Sequence, residues 1–143
     1  MDEIESKQNE GPGIHVENIV NYWIEMSEND YGSMIDFYNI KRYNWSLFIG
    51  HLVIEKLIKA VYVKTHHKHP PFIHDLLKLI TRCNVQITNE QMDILDTITT
   101  FNINVRYDDY KLAFYKQCTP EYTEKWINNI KTIRQWIQNT LLK

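Results

Sequence analysis

The 143-residue sequence has little that would break or staple a chain: 4 glycines, 4 prolines and 2 cysteines. Such sparse glycine and proline exclude a linker or low-complexity protein. Cys83 and Cys118 are too few for a disulfide framework and lack the short paired spacing of a zinc ribbon or a thioredoxin-like site, so both are expected as reduced thiols. Charge of one sign is not in excess either. Sixteen Lys and Arg against 18 Asp and Glu give a formal net charge of -2, so no general basic field draws nucleic acid or anionic lipid, and any anion site must be local. Long apolar runs are missing as well. The most apolar stretch is interrupted by His51, Glu55, Lys56 and Lys59, and the start Met1-Asp2-Glu3 is unlike a secretory leader. The expectation is a cytoplasmic protein that is neither exported nor membrane-spanning.

What is present suits one compact core. Hydrophobic residues make up 43% of the chain and aromatic residues 13%, and a domain of this length buries roughly 70% of its unfolded surface without help from metal or disulfide. Residues 1–14 are polar, aperiodic and contain Gly11-Pro12-Gly13, which reads as a disordered tail ahead of a domain over 15–143. From Val16 to Tyr38, apolar residues recur at intervals of three and four, the period of an amphipathic helix. A second helix is expected from about Tyr43 to Thr65, with Ile49, Val53 and Ile54 widening its apolar surface beyond one stripe. The segment His66 to Pro71 stops it, because consecutive prolines remove backbone donors. Short helices follow over Ile73–Arg82 and Asn89–Phe101, the latter opened by a capping box, Thr88 with Gln91. Asn102–Cys118 lacks a clean period and reads mostly as an ordered loop. Thr119 and Pro120 open a last helix striped by Trp126, Ile130, Ile133, Ile137 and Leu141. The fold class is therefore all-α: an up-and-down helical bundle with three long and two short helices.

Three polar groupings could carry chemistry, and each has a plainer structural reading. His51, Glu55 and Lys59 step by four along one flank of the second helix; they make either a helical ion pair or, with Lys56, a strip that receives phosphate. The histidines His66, His67 and His69 have neither the spacing nor the companions of a zinc site, whereas His74 and Asp75 sit at a helix start, where Asp75 caps the helix or the exposed N–H groups take an anion. Arg106 either ties its segment to Glu55 or Asp75 or offers its fork to a phosphate, with Tyr107 stacked on a base. No nucleophile has an evident base beside it, and no glycine-rich loop is present.

The run Trp23 to Tyr31, the run Phe48 to Ala60 with Glu55-Lys56 and Lys59-Ala60, the sequence His74-Asp75-Leu76-Leu77, and Arg106-Tyr107 together resemble the HEPN domain family (higher eukaryote and prokaryote nucleotide-binding). The resemblance runs from about Val16 to the C-terminus. It implies a helical bundle, commonly homodimeric, with a groove attributed to nucleotides in some members and ribonuclease activity in others. Ribonuclease members carry an Arg followed by His after about four to six residues on a late helix, bringing a cation and an acid/base to RNA. Here the last histidine is His74, with Arg82, Arg106 and Arg134 beyond it, and Arg42 stands too far ahead of His51.

The branch that the chain looks like instead comprises short HEPN proteins often encoded beside a minimal nucleotidyltransferase in toxin-antitoxin-like pairs. It implies a noncatalytic protein that binds a nucleotide, partners the transferase, or both, with no metal and no cofactor. Carried over residue by residue, it gathers His51, Glu55, Lys56, Lys59, His74, Asp75, Arg106 and Tyr107 at one groove, with the lysines and Arg106 toward phosphate. RNA is not an expected partner. The wide apolar surface of the second helix is the reason to expect a homodimer. The rivals are a ribonuclease toxin built on His51 with Arg42 or Arg106, and a purely structural dimerisation module.

Overall fold

The computed structural model describes residues 12–143, with side chains from His15 onward. The expected tail, 1–14, lies outside the described residues except for its last three, whose backbone opens the first helix. The described residues form six α-helices: α1 (Pro12–Asn39), α2 (Tyr43–His66), α3 (Leu76–Thr81), α4 (Asn89–Arg106), α5 (Asp108–Gln117) and α6 (Pro120–Trp136), the last running into one π-type turn, Ile137–Leu141. No strand occurs among the described residues.

The expected boundaries hold where caps set them. Thr88 and Gln91 form the reciprocal capping box of α4, and the Thr119 hydroxyl accepts from the Tyr122 N–H at the start of α6. α2 ends at His66 because His67 adopts a left-handed conformation, φ 57°, and its N–H bonds back to the Val63 carbonyl. The short helix expected over Ile73–Arg82 is narrower, since Asp75 caps it and Leu76 is its first residue. Asn102–Cys118 is a correction: α4 continues to Arg106, and after extended backbone at Tyr107 the chain forms α5. Buried Phe101, Val105 and Phe114 hold this corner, with the Phe101 and Phe114 ring centroids 5.6 Å apart. Exposed tyrosines between these anchors masked the helical period in the sequence.

α2 is the central helix. α1 covers it most extensively, and α3, α4, α5 and α6 also pack on it, burying Leu47, Val53, Ile54, Leu57, Ile58 and Val61. Much of its wide apolar surface is thus used within one chain, while Trp45 stays 44% exposed and Phe48, Ile49 and Leu52 are half-buried. Two buried hydroxyls join α1 to α2: Ser27 donates to the Val53 carbonyl and Ser46 to the Met34 carbonyl, both at 2.8 Å. Between those ties the helices meet α6 at Gly50, where an added Cβ would stand 2.5 Å from Ile130 Cδ1 and 3.2 Å from Met34 Sδ. Gly50→Val should therefore lower stability by about 2 kcal/mol or more through overpacking, despite valine's better helix propensity; a thermal melt that does not shift would contradict the close approach.

Candidate functional site

The four-residue step brings His51, Glu55 and Lys59 to one flank of α2, as expected, and the turn leading into α3 adds His74. Glu55, 4% exposed, is the hub. Its Oε2 accepts from Lys59 Nζ at 2.9 Å, and its Oε1 accepts from His74 Nδ1 at 3.0 Å. His51 Nε2 stands 3.8 Å from the same Oε1 but donates to the His74 carbonyl at 2.9 Å. A carbonyl can only accept, so His51 carries its proton on Nε2, and its other nitrogen, Nδ1, is buried without a partner among the described residues. Lys59 is buried against α1, with Nζ 5.0 Å from the centre of the Trp23 ring. Only His74, with about half of its side chain exposed, opens this cluster to solvent.

The other four candidates lie outside that hydrogen-bonded group. Lys56 turns to α1 and pairs with Asp30. Asp75 caps α3, accepting from the Lys78 N–H at 3.1 Å, so its structural reading is the one realised. Arg106 and Tyr107 are exposed at the far end of α4. That helix meets the start of α3 through Thr99, whose hydroxyl accepts from the Leu76 N–H, and Arg106 lies about 10 Å of helical rise further on. Arg106 forms no ion pair with Glu55 or Asp75, whose described bonds go to Lys59, His74 and Lys78; the expected tie is absent. His66, the last residue of α2, serves local structure: it bonds the Arg82 carbonyl and packs on Tyr62. No group of three His, Cys, Asp or Glu side chains among the described residues could hold a metal ion.

Sequence reasoning passed over Trp23 and Asp30 as neighbours of the two lysines. A signal existed, since α1 and α2 form a hairpin and Trp23 and Lys59 lie equally far from Lys41 in its turn.

Burial alone would raise the Glu55 carboxyl, but the hydrogen bonds from Lys59 and His74 outweigh it and hold the group below its ordinary value. Burial pushes His51 down, beyond what its bond to the His74 carbonyl and the nearby Glu55 restore. Both groups thus work in one form, Glu55 ionised and His51 neutral. Cys83 and Cys118 are free, buried thiols pushed up to about 12 by desolvation, which makes them unreactive.

The chain matches the model of the HEPN domain over residues 20–140. It belongs to the HEPN domain family. The fold of this HEPN protein is also that of TT1696 from Thermus thermophilus, with a TM-score of 0.72 at 15% identity, covering 84% of this chain and 96% of that one. None of the curated proteins matches the chain. No helix among the described residues is long and apolar enough to cross a membrane.

Two outcomes follow from the Glu55 hub. Glu55→Gln leaves the Lys59 ammonium buried without its counter-charge, which should cost about 3 kcal/mol in chemical denaturation; an unchanged midpoint would contradict the pair. The folded protein holds both His51 and Glu55 below their unfolded values, so the unfolded chain takes up protons first. Stability should be complete above pH 6.5, the ordinary value of His51, decline as pH falls through it, and decline again below 4.5, that of Glu55. His51→Gln should flatten the upper step of that profile.

Proposed function

We propose that this HEPN protein is noncatalytic and works by association, as a homodimer and as the partner of a minimal nucleotidyltransferase. The observation that carries the reading is the closure of the Glu55 network. An acid/base for RNA cleavage must reach the phosphodiester and change protonation near neutral pH. His51 is fully buried, neutral, and holds its proton on a backbone carbonyl. Arg42 and Arg106, its conjectured partners, are exposed at the beginning of α2 and the end of α4. A phosphate approaching the α2 flank would meet lysines already neutralised, Lys59 by Glu55 and Lys56 by Asp30. These pairings favour a protein partner over a nucleotide and weigh against the ribonuclease alternative.

A nucleotide keeps one foothold. Glu55 fixes the His74 ring through Nδ1, which leaves Nε2 of an exposed imidazole to face a ligand. The test is therefore paired. Purified protein should leave RNA intact, and calorimetry with ATP, GTP and dinucleotides should stay silent at millimolar ligand. RNA degradation lost on His51→Ala would overturn the noncatalytic reading, whereas nucleotide heat lost on His74→Ala would replace protein association with nucleotide binding.

A further inference from the structure

His74 combines three properties that a nucleophilic imidazole needs. Its Nδ1 stands 3.0 Å from Glu55 Oε1, and an ionised carboxylate only accepts, so Nδ1 carries the proton and Nε2 of the neutral ring carries a free lone pair. About half of the side chain is exposed, and Nε2 bonds no described residue. The ring is also held in place, since the carbonyl of the same residue accepts from His51 Nε2. A group added at Nε2 therefore breaks no bond of the network. Elsewhere it would: His51 and His66 spend Nε2 on backbone carbonyls, and His15 Nε2 is buried. His67 is exposed, but no carboxylate holds its ring among the described residues.

The surroundings select the electrophile. When Nε2 forms a bond the ring becomes cationic, and Glu55, ionised beside Nδ1, meets that charge where it develops. The segment from His66 to Arg82 carries Lys68, Lys78 and Arg82, all exposed and in no ion pair among the described residues. Against them stand Asp75, which caps α3, and Asp96 of α4, three residues before the Thr99 that bonds Leu76. Cations outnumber carboxylates here, which suits an anionic group.

We propose that His74 is a phosphoryl-acceptor site, modified at Nε2 by a donor of high transfer potential, a phosphoramidate or an acyl phosphate. The Nε2 lone pair forms the bond to phosphorus as the donor's P–N or P–O bond breaks. The broken bond's electron pair leaves on ammonia from the N-protonated phosphoramidate, or on the carboxylate of the acyl phosphate. Nothing is oxidised or reduced, and the Nδ1 proton stays on the ring, bonded to Glu55. The site is independent of the association reading, which neither requires it nor falls with it.

Incubating the folded full chain with phosphoramidate tests it, read by mass spectrometry of fragments and nitrogen-resolved NMR. A phosphoryl group should enter at Nε2 of His74, about tenfold or more faster than at any other histidine, and be lost in acid but kept in alkali. His74→Asn, whose amide replaces the Nδ1 donor toward Glu55, should abolish it with the helical circular dichroism unchanged. His67→Asn, which suits the left-handed backbone there, should leave it intact. Urea should erase the preference for His74. Labelling that is spread evenly over the histidines of the folded chain, absent from His74, or equally selective in urea overturns the proposal.

Discussion

Glu55 is ionised at 4% exposure, and much of the molecule is arranged around that fact. A carboxylate taken out of water needs counter-charge and donors, or it protonates. Lys59 supplies the charge from one turn along α2, and His74 supplies a donor from the lead-in to α3. His51 closes the group by holding the His74 backbone carbonyl, so the loop after α2 is tied at both the side chain and the main chain of one residue. Removing Glu55, Lys59 or the His74 side chain leaves a buried polar group of another member without its partner.

The same closure decides what the flank of α2 can do. Its charges face one another and its one exposed ring is held in place, so it resembles a fastening more than an open receptor. On the proposed reading, recognition falls to surfaces elsewhere. Five helices cover most of α2, and the first turns of α1 rest on it and leave crevices on both sides. Lys59 under the Trp23 ring is where the two regions touch.

Much of this was legible in the chain. The period of three and four along α1 and α2, the capping box at Thr88 and the Thr119 cap each rest on local chemistry that a sequence displays. The step of four from His51 to Lys59 likewise gathered those residues without knowledge of the tertiary structure. The α5 helix was hidden because only Phe114 of its ten residues is buried, too few anchors for a period to show. The place of Arg106 was hidden for a different reason. Whether an arginine at a helix end reaches a carboxylate on another helix depends on how far the two helices overlap, and that overlap is fixed here by Thr99 bonding Leu76, seven residues earlier. The protonation state of His51 was equally out of reach, because the acceptor that sets it is a backbone carbonyl, which no side-chain pattern reveals.

The central claim is that the polar group on α2 is sealed and singly protonated, and nitrogen-resolved NMR of the histidine rings across pH tests it most directly. The account predicts that His51 remains the neutral Nε2–H form through the range where ordinary histidines titrate and that its signals do not move when RNA or nucleotide is added. A His51 ring that titrates near 6.5, or shifts on ligand addition, would contradict it.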